Sequence, residues 1–161
     1  MLRLRTTQQP GFTLVEILIV VAILGILAAL VAPRYLKASA DSKAQAAATT
    51  VIAVQSKINE SEALTGSFPA AIDPTWFADN ALPSNPYDPT HATPILYDTS
   101  ASTEITHPRI KFIRNNGAFW YNPNNGRFHA LVSRQPSNDE TLALYNSANS
   151  VKLSSFTQTS D

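Results

Sequence analysis

The feature that most constrains this chain is an apolar run near its start. Residues 12–32 comprise 21 amino acids, of which fourteen are Leu, Ile, Val or Phe, and they carry a single charge at Glu16. As an α-helix rising about 1.5 Å per residue, the run covers roughly the 30 Å hydrocarbon core of a bilayer. A carboxylate near one end costs less than about 3 kcal/mol, which the aliphatic residues outweigh. The run therefore predicts a transmembrane helix.

Basic residues before the run predict its orientation. Arg3 and Arg5 place the N-terminus in the cytoplasm by the positive-inside rule, with everything after Pro33 across the membrane. A cleaved secretory signal is the first alternative, but such signals have apolar regions of about 7–15 residues and end in a small-residue cleavage site. A plain signal anchor is the second alternative, and it offers no role for Glu16. An intramembrane carboxylate indicates a functional site with a partner.

Gly11, Phe12 and Glu16 stand together at the polar-to-apolar boundary in the segment GFTLVE. This segment resembles the prepilin processing motif of the type IV pilin and type II secretion pseudopilin superfamily. The resemblance covers roughly residues 1–65 and includes the short basic leader and Pro33 at the end of the apolar run. It implies that prepilin peptidase cleaves the bond between Gly11 and Phe12 and methylates the new amine of Phe12.

Charge pairing gives Glu16 a role in assembly under this resemblance. Cleavage creates an ammonium group at Phe12, and a buried carboxylate paired with an amine costs less than either charge alone. The family pairs this carboxylate with the amine of a neighbouring subunit, which sets the register of a filament. The implied partners are the peptidase, a homo-oligomeric filament with other pilin-like subunits, and an inner-membrane assembly platform.

Gly25 and Pro33 weaken helical hydrogen bonding, which for either residue alone indicates no more than a tolerated glycine and a proline kink. The resemblance implies that this stretch can unwind on assembly, so residues 25–33 are expected to extend in the polymer.

Beyond the apolar run, the sequence predicts a continuing amphipathic helix. Val51, Val54 and Ile58 form a stripe at helical spacing that is expected to face a small sheet. Gly66 predicts that the helix ends near Thr65. The expected organisation is a leader (1–11), a transmembrane and filament-core helix (12–32), its amphipathic continuation (33–66), a headgroup (67–136) and a polar, peripheral C-terminal tail (137–161).

The headgroup is expected to combine a proline-rich loop with an antiparallel meander. Residues 69–108 predict irregular structure with a helical turn near Trp76. Two Asn-Gly pairs, at 116–117 and 125–126, favour tight hairpin turns. The predicted strands are Arg109–Arg114, Ala118–Asn122 and Arg127–Ser133, with large side chains from Phe112, Phe119, Tyr121, Phe128 and Leu131, some covering the stripe. The predicted fold class is α+β and pilin-like: a long N-terminal helix packed on a small antiparallel sheet.

Composition argues against an enzyme. His91, His107 and His129 lack ligand-like spacing, and neither a cysteine nucleophile nor a glycine-rich phosphate loop occurs. Neither a cofactor nor a metal is therefore predicted. Four aspartates suggest a calcium site: Asp73, Asp79, Asp88 and Asp98. Their spacing along the chain matches no compact calcium-binding loop.

Nucleic-acid binding is not predicted either. The chain carries twelve basic and twelve acidic residues, so no excess charge attracts a polyanion. Aromatic and basic residues of the meander could bind glycan or DNA, but core packing and a solvated edge are the expected roles of Trp120, Tyr121, Arg114 and Arg127.

Two filament types remain within the superfamily. The absence of cysteine, the short headgroup, the segment TGSFP at residues 65–69 and the resemblance of the predicted meander to the pseudopilin headgroup favour a type II secretion pseudopilin. The alternative is a type IV pilus subunit serving motility, adhesion or DNA uptake. Either reading predicts a single-pass protein of the bacterial inner membrane with a periplasmic headgroup.

Overall fold

The chain is described by a computed structural model that covers residues 11–88, 90, 94–114 and 117–161. Its layout is α+β and pilin-like, with a long N-terminal helix and a small three-stranded mixed sheet. Two short 3-10 turns, Pro74–Trp76 and Ala78–Asn80, follow the first helix. The regular elements are α1 (Leu14–Thr65), β1 (Ile95–Tyr97), β2 (Phe119–Asn122), β3 (Arg127–Ala130) and α2 (Asn138–Asn149).

Helix α1 contributes to both compact units of the chain, residues 1–39 and residues 40–161. Its 52 residues run without interruption through positions 25 and 33. The helix ends where Gly66 adopts a φ of +77° and its amide donates to the carbonyl of Glu62 at 2.8 Å. A residue without Cβ enters this left-handed conformation at little cost. The predicted end near Thr65 is confirmed.

The core of the unit formed by residues 40–161 contains the helical stripe. Val54 and Ile58 are completely buried, and Val51 is nearly so. They share one hydrophobic cluster with Phe119 and Phe128, whose rings stack with centroids 5.0 Å apart. The predicted contact between the stripe and the aromatic strands is confirmed.

Strands β2 and β3 form an antiparallel hairpin in which Phe119 pairs with Ala130 and Asn122 with Arg127. The side chain of Asn122 accepts from the amide of Asn124, and Gly126 closes the turn with a φ of +69°. The second predicted hairpin is therefore confirmed. The first predicted turn includes Asn116, which lies outside the described residues.

The meander prediction is wrong for its first strand, Arg109–Arg114. Strand β1 occupies the other side of β2 and runs parallel to it, with Leu96 paired to Trp120. Because β1 pairs with β2 there, the bridges that residues 109–114 make to other described residues are isolated ones, from Phe112 to Val132 and from Arg114 to Gly117. The region predicted as an irregular loop thus supplies a strand, and the sheet is mixed. The predicted turn near Trp76 is confirmed.

The prediction of a peripheral C-terminal tail is also wrong. Ser137 and Glu140 form a capping box that starts α2, with each side chain bonded to the other residue's backbone amide. Three residues at helical spacing then enter the core, where Leu142 is 7%, Tyr145 0% and Ala148 0% exposed. The polar composition of residues 137–161 conceals an amphipathic helix.

Substitution of Gly126 by alanine tests the hairpin turn. A Cβ at this position would overlap the ring of Phe68, in addition to the strain of a positive φ. We expect Gly126→Ala to lower the free energy of unfolding by about 2–4 kcal/mol. Gly66→Ala is the matched control, because its φ is also positive but nothing lies within 4 Å of its Cβ. Urea unfolding of the full chain in detergent, followed by tryptophan fluorescence, measures both. Equal losses of unfolding free energy in the two variants would show that the ring of Phe68 does not restrict the residue at position 126.

Candidate functional site: the N-terminal processing and assembly motif

The first turn of α1 holds Glu16 in a capping box with Thr13. The amide of Glu16 donates to Thr13 Oγ1 at 3.2 Å, and the amide of Thr13 donates to Glu16 Oε2 at 3.3 Å. The Thr13 hydroxyl also donates to the same carboxylate oxygen at 3.3 Å. A threonine before a helix and a glutamate three residues later satisfy each other's free backbone amides. In the single subunit the carboxylate therefore already has partners.

The bond predicted to be cleaved lies in exposed chain ahead of this cap. Gly11 and Phe12 precede the helix, and Phe12 is 82% exposed. Among the residues that the structure describes, no heavy atom lies within 4 Å of a Cβ built at Gly11. Arg3 and Arg5 lie outside the described residues.

The residues that follow the cap present apolar side chains on every side of the helix. All residues from Leu14 to Ala32 are exposed, and by length and composition α1 could cross a membrane. Unpartnered aliphatic surface on this scale must be covered by lipid or by other subunits. Gly25 has nothing within 4 Å of its Cβ position. The structure places Glu16 and Gly25 two and a half turns apart on this one helix.

A second cluster, which the sequence did not predict, lies in the headgroup. The rings of His107 and His129 stack with centroids 4.5 Å apart, and Trp120 stacks on His129 at 5.9 Å. His107 Nε2 lies 2.7 Å from Asp161 Oδ1, and its Nδ1 lies 3.2 Å from the Tyr145 hydroxyl. The five residues come from five separate segments, so their spacing along the chain gave no signal.

This carboxylate–imidazole–hydroxyl series resembles a catalytic relay only in its connectivity. His107 is 1% and Tyr145 0% exposed, so a substrate has no access to the hydroxyl. Burial raises the pKa of Tyr145 well above its usual value, which keeps the phenol protonated. The cluster is therefore positioned for packing and for internal hydrogen bonding.

Lys111 is a buried cation beside this cluster. Its ammonium donates to the carbonyls of Pro108 at 3.0 Å and Gln158 at 2.8 Å, and it lies 5.5 Å from the centre of the Tyr145 ring. Burial lowers the pKa of Lys111 to about 8. A lysine predicted to lie on a strand thus anchors the C-terminal segment.

Three of the four aspartates of the calcium hypothesis start turns, and the fourth, Asp79, lies inside the second 3-10 turn with a φ of +60°. Asp73 accepts from the Thr75 amide at 2.9 Å, and Asp88 accepts from the Thr90 amide at 2.9 Å. Asp98 accepts from the amide and hydroxyl of Ser100 in the same way. Within the described ranges, no three His, Cys, Asp or Glu side chains come together as a possible metal site.

The aromatic residues considered for glycan or DNA binding point inward. Trp120 is 5% and Tyr121 0% exposed, and the Tyr121 hydroxyl donates to the carbonyl of Pro69 at 2.7 Å. Neither ring is free to stack on a base or a sugar. Arg114 and Arg127 are exposed, as expected for a solvated edge. His91 lies outside the described residues.

Comparison with known protein families identifies the N-terminal segment. Residues 7–32 match the model of the prokaryotic N-terminal methylation motif, the type IV pilin-like prepilin signal. The match includes Gly11, Phe12 and Glu16 and ends with the exposed apolar run. The chain therefore carries the signal of a type IV pilin-like prepilin-peptidase substrate, and pilin-like chains of this kind are structural subunits. No solved structure matches the chain.

Proposed function

We propose that this chain is a structural subunit of a type II secretion pseudopilus. In this proposal prepilin peptidase removes residues 1–11, methylates Phe12 and releases a subunit that polymerises through α1 to assist protein export. The observation that carries the proposal is the capped Glu16 at the start of an exposed apolar helix within a matched prepilin signal. The inner membrane, with the headgroup in the periplasm, is the proposed location.

Glu16 is proposed to pair with the Phe12 amine of a neighbouring subunit. Phe12 and Glu16 are both exposed in the single chain, so a second subunit can reach them. Inside a packed helical bundle the two charges need each other, because either one alone is costly in an apolar interior. We propose that this pairing sets the register between subunits.

The choice of a pseudopilus over a type IV pilus rests on the headgroup. The chain has no cysteine, so no disulfide closes its C-terminal region. The segment from Gly66 to Pro69 instead contacts the hairpin: Phe68 lies against Gly126, and Pro69 accepts from Tyr121. This supports the proposal that the TGSFP segment is part of a pseudopilin-type headgroup.

Mass spectrometry of the membrane-extracted protein tests the processing step. We expect a mature chain that begins with N-methyl-Phe12 and has lost residues 1–11. A chain that keeps Met1 would contradict processing and with it the assembly proposal. Electron microscopy of cells expressing the chain distinguishes the two filament types, since long surface fibres containing it would favour a type IV pilus subunit over a pseudopilin.

A further inference from the structure

Arg34 and Lys37 are the first charged side chains after the apolar run, and we call them the flanking pair. Both are exposed, and within the described ranges neither makes an ion pair, although Asp41 follows Lys37 by one helical turn. Three positions separate the two cations, so they lie on the same side of α1. The fold of the single chain therefore leaves two neighbouring positive charges without a negative partner.

The uninterrupted helix determines the depth of the flanking pair when α1 crosses a bilayer. At about 1.5 Å per residue, Arg34 lies roughly 30 Å along the axis from Leu14, the first helical residue, and Lys37 lies about 4.5 Å further. The hydrocarbon core is roughly 30 Å thick, and the polar lipid layer on each side adds about 5–8 Å. When residues 14–33 fill the core, both cations therefore lie within one polar lipid layer.

The chemistry of that layer matches the side chains at this point of the helix. Arginine and lysine carry apolar stems that can follow the helix while the charged end reaches a lipid phosphate. Tyr35, which is 72% exposed, adds an apolar ring with a polar hydroxyl, a combination that is enriched at the same depth. A zwitterionic lipid balances its phosphate with an ammonium group of its own, whereas an anionic lipid keeps a net negative charge. The two cations therefore favour anionic phospholipids.

We propose that the flanking pair binds the phosphate of an anionic phospholipid, in the leaflet that lies on the same side of the membrane as residues 40–161. The proposal rests on α1 crossing a membrane, which is part of the proposed function, and not on cleavage or on the filament type. The next cation, Lys43, lies about 13.5 Å beyond Arg34 and so outside the polar lipid layer. The lipid site is thus confined to Arg34 and Lys37.

A fluorescent probe beside the flanking pair measures which lipid lies next to it. Because the chain has no cysteine of its own, Val31→Cys labelled with bimane gives a single probe at a position that is 60% exposed and about 4.5 Å before Arg34. The full chain is placed in vesicles of phosphatidylcholine and phosphatidylglycerol at about 4:1, with bromine on the acyl chains of one lipid or the other. Quenching of the probe by each brominated lipid gives the relative binding constant of the two lipids at this position.

We expect phosphatidylglycerol to be preferred by at least about fivefold, the factor that one cation near an anionic membrane surface contributes. Arg34→Gln combined with Lys37→Gln removes both charges and should reduce the preference to about one. Lys43→Gln combined with Lys57→Gln is the matched control, because it removes two charges from the same helix beyond the polar lipid layer. This control should keep the preference of the parent chain.

Three results would overturn the lipid site. The first is equal quenching by the two lipids in the parent chain, and the second is a preference that survives the loss of Arg34 and Lys37. The third is an equal loss of preference in the control, which would show that lipid follows the total charge of the helix rather than the position of the flanking pair. Absence of quenching by either lipid would instead contradict the membrane span itself, and with it both the proposed function and the lipid site.

Discussion

Glu16→Ala is expected to leave cleavage and N-methylation at Phe12 intact and to abolish filament assembly. The bond proposed to be cleaved lies in exposed chain outside the helix, so loss of the carboxylate leaves the proposed substrate segment in place. In the proposed filament, however, the variant leaves a Phe12 ammonium without its anion in an apolar interior. Removal of one partner from a buried ion pair costs about 3–5 kcal/mol, which corresponds to a loss of more than about a hundredfold in each subunit contact.

Glu16→Gln is the matched control for this experiment. Glutamine keeps the length of the side chain and can still complete the capping box with Thr13, but it carries no charge. We expect it to assemble as poorly as the alanine variant, measured as the fraction of processed protein recovered in sedimented filaments. Normal assembly by the glutamine variant would show that the cap, rather than the ion pair, is what assembly requires.

Asn85→Ala is expected to destabilise the headgroup by about 3 kcal/mol or more. Asn85 is completely buried, and its amide group donates to the carbonyls of Ala118 at 2.6 Å and Leu131 at 2.8 Å. Its oxygen accepts from the amide of Tyr87 at 3.0 Å. Alanine would remove this partner from the Tyr87 amide and the Leu131 carbonyl, and a buried backbone group left unsatisfied costs about 1–3 kcal/mol. The Ala118 carbonyl keeps the hydrogen bond from the Leu131 amide at 2.9 Å.

Asn59→Ala provides the comparison. Asn59 is exposed and accepts a single side-chain hydrogen bond from Gln55, so its loss should cost within about 0.5 kcal/mol. Urea unfolding of both full-length variants in detergent, followed through the buried Trp120, gives the two free energies. A loss of less than about 1 kcal/mol for Asn85→Ala would mean that water satisfies the freed groups.

The parts of the fold that depend on neighbouring residues were predictable from the sequence. The apolar run, the stop at Gly66 and the hairpin closed by Gly126 each depend on a few consecutive residues. The signal for the start of α2 also lies in neighbouring residues, because Ser137 and Glu140 have the spacing of a capping box. The composition of residues 137–161 does not reveal that helix, because its few apolar residues at helical spacing lie among polar ones.

The remaining features depend on contacts between distant segments. Strand β1 has three residues, and only its parallel pairing with β2 distinguishes it from the loop around it. Asn85 lies 33 and 46 residues from its two carbonyl partners. His107 and Asp161 are 54 residues apart. Local propensity carries no information about such pairs, whereas the N-terminal motif was recognisable because its residues are contiguous.

The capping box at Thr13 changes what assembly contributes energetically. A carboxylate that already accepts from a backbone amide and a hydroxyl is not a bare charge awaiting neutralisation. When a subunit joins the proposed filament, Glu16 then exchanges one set of partners for another. The net gain in free energy is the difference between the internal cap and the intermolecular ion pair, which is smaller than the gain from neutralising an unpartnered charge. This favours reversible assembly, because a subunit that leaves the filament returns Glu16 to its own first turn and can be used again.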